Sequence, residues 1–513
     1  MAPTETPDQR KALFREIQGA RQRNAKELGQ SYFLTTEDLV QILTHEKIAS
    51  LLKEVYRKDF SHEYVESIIQ TALKTLAILV RIRAVQNFVA LFESFRDSCL
   101  PITVIDSSSC QVATLHLEVD KSGHRRQRQY QCQVFESWDE EDVEYFERSQ
   151  WLFLPVEFSY DTFLQAAHPE QPLPVRSADF SRRGGGHFSD VYEVDLPIAH
   201  SPNASGGHNK QVHVAIKKFH TNVRDYFFRE FRNLEQIHSI EHSHLITPIT
   251  TFEHGDNQYV VFPWADGGNL REFWRLPGKK PSVEWVLKQM HGVSEAMMLL
   301  HGKNGRHGDI KPENILRFRG EISNKDTLVI ADVGLAKFHQ FVTSQRDHAS
   351  SITASTVRYE PPEMNVDDPK RPRSRRYDMW SIGCVYLEFV IWRFYGLQRL
   401  HAFNAKADYH KFWDFKDKKF DNSKVKGGVK VLHEDVQDMI DQLLRDLPSD
   451  SALKDIIKMI RDGLLVVDLV KDFRPSKHAR WIAPKLFNRM DAIWKRAKTD
   501  KNYAVGAKRR APH

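Results

Sequence analysis

Asp309, Lys311 and Asn314 fall within six positions of the run RHGDIKPENIL, whose other residues are mostly apolar or structural. A carboxylate there can accept or orient a hydroxyl proton, an ammonium can neutralise a phosphate in transfer, and an amide oxygen can ligate a metal. Such chemistry calls for a second metal-binding acid, and TLVIADVGLAKF supplies one: an apolar strand ends at Asp332, and Gly334 permits a sharp turn just after it. Taken alone, Asp-x-Gly at a strand end reads as an ordinary turn. Its order and spacing after the first cluster give it weight.

Two upstream stretches complete a phosphate-handling set. In VHVAIKKF, Lys217 follows Val214, Ala215 and Ile216 on a predicted strand, where a lysine is costly unless it meets an anion. The following stretch, YFFREFRNLEQIHSI, reads as a helix on which Glu230 shares a face with Leu234 and Ile237 while Glu235 is offset, so Glu230 is the expected partner of Lys217. Before the lysine, RRGGGHFSDVYEV sets Gly184 and Gly186 ahead of a strand marked by Phe188, Val191 and Tyr192. Glycines let backbone amides approach phosphate oxygens that a Cβ would hold off, although a glycine-rich surface turn has the same composition.

The elements that must position these groups follow from periodicity. From residue 8 to about 100 the apolar residues recur at helical spacing, with a helix start at Thr35 and Asp38 and one longer helix over HEYVESIIQTALKTLAILVRIRAVQNFVALFESF. Strands around a polar turn are expected in ITVIDSSSCQVATLHLEVDKSGHRRQRQYQCQVFE, then a helix in DEEDVEYFERSQ. The proline-bearing stretch 166–180 reads as a linker, which puts a boundary near residue 170. Short strands run from there to about 263, interrupted by a Gly/Asn/Ser-rich insertion at 200–211, and helical periodicity continues to about 497.

With these motifs in this order, residues about 176–497 resemble the catalytic domain of eukaryotic protein kinases. The resemblance implies an α+β, two-lobed protein kinase fold: a small β-rich lobe and a larger α-helical lobe, preceded by a mainly helical region. It divides the chain into a regulatory or interaction region over 1–170, a catalytic domain over 171–497 and a basic tail over 498–513. It implies ATP and magnesium as cofactors, with Gly184, Gly186, Phe188 and Ser189 over the phosphates and Val191, Ala215 and Leu316 lining the nucleotide pocket. Phe262 guards the back of that pocket, and Pro263, Trp264 and Ala265 form the hinge that meets adenine. By the same resemblance Lys217 holds the α- and β-phosphates with Glu230 behind it, Asp309 is the catalytic base beside Lys311, and Asn314 and Asp332 hold magnesium. STVRYEPPEM resembles the end of an activation segment beginning at Asp332, with Glu363 paired to Arg474 of VKDFRPSKHARW, and RRYDMWSIGCVYLEF the central helix, with Asp378 holding the catalytic loop.

Lys311 and Thr356 follow the serine/threonine pattern, and HGDIKPENIL with RYEPPE resembles kinases of filamentous fungi. Three residues depart from the family pattern. Ser189 replaces the third glycine of the phosphate loop, Val333 replaces the usual Phe after the metal-binding acid, and Gly308 stands where an arginine usually binds an activation-segment phosphate. Phosphate on Thr343, Ser344, Ser350, Ser351 or Thr353 is therefore not the expected on-switch. The histidines His238, His242, His244 and His254 suggest packing rather than zinc, with His242 set against the regulatory helix.

Bulk properties exclude other classes. The chain has 41% hydrophobic and 28% charged residues, 74 Lys and Arg against 68 Asp and Glu, and four scattered cysteines, which fits neither disorder nor a disulfide framework. The formal charge of +6 does not argue for nucleic acid, and the basic run KRPRSRRYD reads as a solvated loop. The most apolar run, TLAILV, stops at Arg81, so no membrane span and no secretion are expected, and the location is cytoplasmic or nuclear. The expected partners are protein substrates carrying Ser or Thr and a regulatory protein on residues 1–170. The rival reading is a catalytically weak kinase-fold scaffold, suggested by Val333, Gly308 and the long front region.

Overall fold

The computed structural model describes the chain except for residues 1–7, 25–30, 107, 120–124, 160–163, 177–180, 186–188, 200–209, 220–238, 279, 321–325, 333–356, 365–373, 407–410, 417–418, 422–423, 427–428, 469–478 and 506–513. It forms two compact units, one of residues 1–228 and 248–264 and the other of residues 229–247 and 265–513. No helix among the described residues is long and apolar enough to cross a membrane.

In the first unit the front helices are α1 (Gln9–Ala20), α2 (Thr36–Ile42), α3 (His45–Tyr56), α4 (His62–Thr71), α5 (Leu73–Ile82) and α6 (Phe88–Phe92). Helix α2 starts where Thr35 and Asp38 place it: each side chain bonds the other's backbone amide in a capping box. The single long helix expected after His62 is broken at Ala72 and ends at Arg83, whose φ of 64° is left-handed. The break is stabilised from a distance. Asp97 accepts hydrogen bonds from the Lys74 and Thr75 amides, both at 2.8 Å, and from the Thr75 hydroxyl at 2.7 Å, which caps α5 with a carboxylate 22 and 23 residues away in sequence. Helix α5 can then bury Leu73, Leu76, Ile78, Leu79 and Val80 beside Leu13, Ile17, Phe95 and Phe146.

A three-stranded antiparallel sheet, β1 (Ile102–Asp106), β2 (Gln111–Val119) and β3 (Arg125–Cys132), follows, then α7 (Glu140–Gln150). The wholly buried Gln150 serves the free side of β1, accepting from the Ile102 amide at 2.8 Å and donating to its carbonyl at 2.7 Å. A side chain thus continues the ladder that the backbone ends.

The second sheet contains β4 (Phe158–Ser159), β5 (Leu164–Ala167), β6 (Ser181–Gly185), β7 (Ser189–Ala199), β8 (Lys210–Phe219), β9 (Thr250–His254) and β10 (Asn257–Pro263). Its order is β4-β7-β8-β10-β9-β5, with β6 also paired to β7. The boundary expected near residue 170 falls inside this unit: β4 pairs in parallel with β7, and β5 in parallel with β9. Residues ahead of the boundary therefore form both margins of the sheet. Val194, Val214, Ile216, Phe252, Tyr259 and Val261 form its core together with Phe158, Leu173 and Val175.

The second unit is built on α8 (Leu270–Arg275), α9 (Val283–Gly302), the hairpin of β11 (Ile315–Phe318) and β12 (Thr327–Ile330), α10 (Arg376–Phe394), α11 (Leu397–Lys406), α12 (Glu434–Asp446), α13 (Ala452–Met459), α14 (Ala483–Thr499) and α15 (Lys501–Val505). Every residue of α10 from Tyr377 to Trp392 is buried, so this helix is the axis of the unit and needs no polar face. Residues 413–432, expected to continue the helical pattern, form strands instead: Trp413–Lys416 pairs with Val429–Leu432, and Lys419–Asp421 with Lys424–Lys426. Their sequence, WDFKDKKFDNSKVKGGVKVL, alternates apolar and polar residues around Asn and Gly turn positions, which is a period of two. The start of the expected tail is also ordered, since Tyr503 is buried and its hydroxyl donates to Asp455 at 2.9 Å.

Candidate active site

The loop between α9 and β11 brings Asp309, Lys311 and Asn314 together. Lys311 Nζ donates to Asp309 Oδ2 at 2.9 Å, and Asn314 Nδ2 donates to the same oxygen at 3.0 Å and to the Asp309 carbonyl at 2.8 Å. Lys311 and Asn314 are buried at 9% and 8% exposure, so the cluster sits in protein rather than on a solvated surface. A charge-assisted pair at that depth holds its geometry.

Asp378, the third residue of α10, forms the base of this loop. It is fully buried and accepts from His301 Nε2 at 2.8 Å, the His307 amide at 2.9 Å and the Gly308 amide at 2.7 Å. Burial pushes this carboxyl up, but the His301 hydrogen bond and charge, with help from His307 and the Gly308 amide, outweigh it and hold its pKa below the ordinary range. His307 is oriented at both nitrogens: Nδ1 accepts the Asp309 amide at 3.2 Å, so Nε2 carries the hydrogen given to the Ala331 carbonyl at 2.8 Å. Gly308 has φ of 78°, the left-handed region, so a residue with a Cβ would be strained where the loop turns onto Asp378.

Asp332 stands two residues past the end of β12, after Ala331, and is itself left-handed, with φ of 58°. A non-glycine residue in that conformation is uncommon and marks a backbone set by its surroundings. Leu316 lies on β11 opposite Val329 and bridges Asn269.

In the first unit, β8 presents Lys217 at 9% exposure between Val191 on β7 and Val260 on β10. Ala215 lies two positions earlier on the same strand and pairs with Phe262, and Ser189 is buried at the start of β7. The Trp264 amide donates to the His213 carbonyl at 3.3 Å, continuing the β8 ladder past Pro263, while Ala265 opens the other unit. Gly184 lies within β6, opposite Val191, next to a bulge that shifts the register after Arg182. Gly186, Phe188, Glu230 and Val333 lie outside the described residues.

Glu363 is paired to Arg480 through two bonds of 2.6 and 3.0 Å, while Arg474, the expected partner, lies outside the described residues. The Arg480 side chain is fully buried, its fork aimed by the Val466 and Arg376 carbonyls and its plane set over Trp380. Of the clustered histidines His244 is buried: its Nδ1 meets the Leu328 carbonyl at 2.7 Å, and Gly292 of α9 leaves the space its ring fills, while the helix expected to pack on His242 lies outside the described residues.

A further network had no signal in the sequence. Arg271 of α8 bonds Glu313 at 3.0 Å, Glu388 at 3.3 Å and the Tyr359 hydroxyl, while Arg358 bonds Glu388 at 3.3 Å and Tyr359 donates to it at 2.8 Å. Burial pushes the Arg271 guanidinium down, but Glu388, Tyr359 and Glu313 together hold it well above its ordinary pKa. Glu313 stands between Lys311 and Asn314 along the chain, so this node ties the loop that carries them to the segment ending at Glu363.

Residues 200–452 match the family model described as "Protein kinase domain". The chain carries a protein kinase domain. It is 32% identical over 187 residues to the "Cyclin-dependent kinase-like 4" of Mus musculus, covering 34% of this chain and 48% of that protein. It is 30% identical over 163 residues to the "Aurora kinase" of Yarrowia lipolytica, covering 32% and 40%. It is 28% identical over 201 residues to the mouse "Serine/threonine-protein kinase Nek4", covering 37% and 22%. The chain thus spans about half or less of the length of these curated relatives. The kinase domain, with its β-rich sheet, its helical lobe and the mainly helical region in front, is the two-lobed α+β kinase fold.

Proposed function

We propose that this kinase domain is catalytically active and transfers the γ-phosphate of ATP to serine or threonine hydroxyls of proteins, with magnesium as its metal. The observation that carries the reading is the hydrogen-bonded cluster of Asp309, Lys311 and Asn314 seated on buried Asp378. Asp309 is the group placed to orient the acceptor hydroxyl and take its proton, and Lys311, fixed on the same carboxylate oxygen, adds positive charge where the phosphate arrives. Lys217 is the expected phosphate ligand on the sheet, with Glu230 as its partner.

The residues present fit magnesium. The Asn314 amide nitrogen is spent on Asp309, so the group it can offer a metal is its amide oxygen, a hard donor, and Asp332 adds a carboxylate. When bound, the ion would neutralise charge on the phosphates. The wording HGDIKPENIL and RYEPPE further supports kinship with filamentous-fungal kinases, and residues 1–170 are proposed to receive a regulatory protein.

Transfer of labelled γ-phosphate to a basic protein substrate tests the reading. Wild type should label Ser and Thr, and Asp309→Asn should lose activity by about 10²–10⁴-fold while still binding nucleotide. Equal labelling by both, or none by either with nucleotide bound, would favour the scaffold reading.

A further inference from the structure

Residues 413–432 form a ribbon two strands wide, and among the described residues neither of its strand pairs joins a third strand. A lone two-stranded hairpin is marginal in water, so something besides its ladders holds it in place. Its root supplies the anchor. Phe412 and Trp413 are buried in the core of the second unit, with the Phe412 ring 6.2 Å from that of Tyr359.

Packing alone would be satisfied by those two rings, yet side-chain donors at the root all go to one short piece of chain, Glu360 to Pro362. Trp413 Nε1 donates to the Glu360 carbonyl at 3.0 Å, Lys411 Nζ to the Glu360 carboxylate at 3.2 Å, and Lys430 Nζ to the Pro362 carbonyl at 2.5 Å. Lys430 keeps this position although burial pushes its pKa down against the pull of Glu363. Both ammonium groups also lie over the Trp413 ring, Lys411 at 5.1 Å and Lys430 at 5.3 Å, so one indole steadies them both. Pro361 and Pro362 carry no amide hydrogen, so this piece of chain cannot join a ladder, and its carbonyls take their donors from the hairpin.

The residues on either side are tied elsewhere. Tyr359 bonds Glu388 and Arg271, and Arg271 bonds Glu313 of the loop that carries Asp309, while Glu363 is paired to Arg480. The hairpin holds the stretch between these two ties, and that stretch adjoins the loop whose Asp309 orients the acceptor hydroxyl. We propose that Trp413 and Lys430 are positioning residues for the protein substrate: by fixing the Glu360 and Pro362 carbonyls they set the ledge along which the chain bearing that hydroxyl lies. The assignment rests on the phosphotransfer reading given above. A hairpin that only filled space would need the two rings and not the donors.

The test uses the full chain and steady-state phosphorylation of myelin basic protein, with ATP and protein varied in turn. Trp413→Phe keeps a ring and removes the N–H, Lys430→Met keeps the stem and removes the donor, and Lys430→Arg restores a donor. The first two should each raise KM for the protein about fivefold, the loss of one hydrogen bond, with kcat and KM for ATP unchanged. Lys430→Arg should recover most of that loss. An unchanged KM for the protein in both variants overturns the proposal, and so does a rise accompanied by equal changes in kcat and KM for ATP, which is what a merely structural hairpin gives. Should Trp413→Phe not fold, the two Lys430 variants decide alone. If wild type labels nothing, the phosphotransfer reading falls and the positioning role with it, an outcome distinct from an active wild type with indifferent variants.

Discussion

The two units hold their chemical groups in different ways. In the first, Lys217 is placed by backbone: β8 lies between β7 and β10, and the register of those ladders sets where the lysine points. In the second, Asp309 is placed by buried carboxylates, each gathering several donors: Asp378 takes three, and Glu388 takes Arg271, Arg358 and Tyr359. A ladder shares its load over many weak bonds and tolerates a lost side chain but not a lost strand. A carboxylate hub concentrates the load and should fail at one atom.

Deleting residues 1–170 should break the contrast most severely. It removes β4 and β5 together with the packing of Phe158, and the shortened chain is expected to be insoluble or aggregated in size-exclusion chromatography. A soluble, active fragment would mean that the ladder does not need its margins.

Next comes Asp378→Ala, which leaves His301 and two loop amides without their acceptor. About 3–5 kcal/mol of stability should go, by denaturant unfolding, along with phosphotransfer. A single alanine in the sheet, such as Val212→Ala at a partly buried position, should cost about 1 kcal/mol.

A third effect depends on pH. Burial holds the His244 imidazole down at about 4 against an ordinary 6.5. The unfolded chain therefore takes up a proton below 6.5 that the folded chain refuses, so this site leaves stability intact above 6.5 and removes it as pH falls toward 4, by about 3 kcal/mol at the end of the range. Unfolding midpoints for wild type and His244→Gln should converge as the buffer is made acidic, and parallel curves would refute the assignment.

The smallest effect sharpens the role of Gly308. Replacing it with Ala at φ of 78° should cost about 1 kcal/mol, measured by urea unfolding, because the left-handed backbone is strained for any side chain. An arginine there would carry the same penalty, which gives a backbone reason for the missing phosphate clamp.

What could be read in the sequence was what lies close along the chain. Asp309, Lys311 and Asn314 are contiguous in a loop, and the Thr35 and Asp38 box closes within four residues, so spacing alone identifies both. Apart from Asp378, which the family resemblance set under the loop at His307 and Gly308, groups that meet from afar were not legible. The Asp97 cap of α5 broke a helix that periodicity would have run straight through, and nothing local singles out Arg271 as the hub linking Glu313 to Glu388. Nothing local marks Arg480 as a partner of Glu363 either; the Trp380 ring and two carbonyls, distant in sequence, aim it there. The strands in 413–432 have a local period of two in their sequence, but the helical periodicity on either side masks it.

Strands β4 and β5 are joined by a short stretch of chain yet stand at opposite ends of a row six strands wide. Six strands laid flat would separate their outer members by about 24 Å, whereas the five steps from Ser159 to Leu164 span at most about 18 Å. The sheet must therefore curl until its margins approach each other, and the curl leaves outermost strands of only two and four residues for any neighbouring chain to pair with.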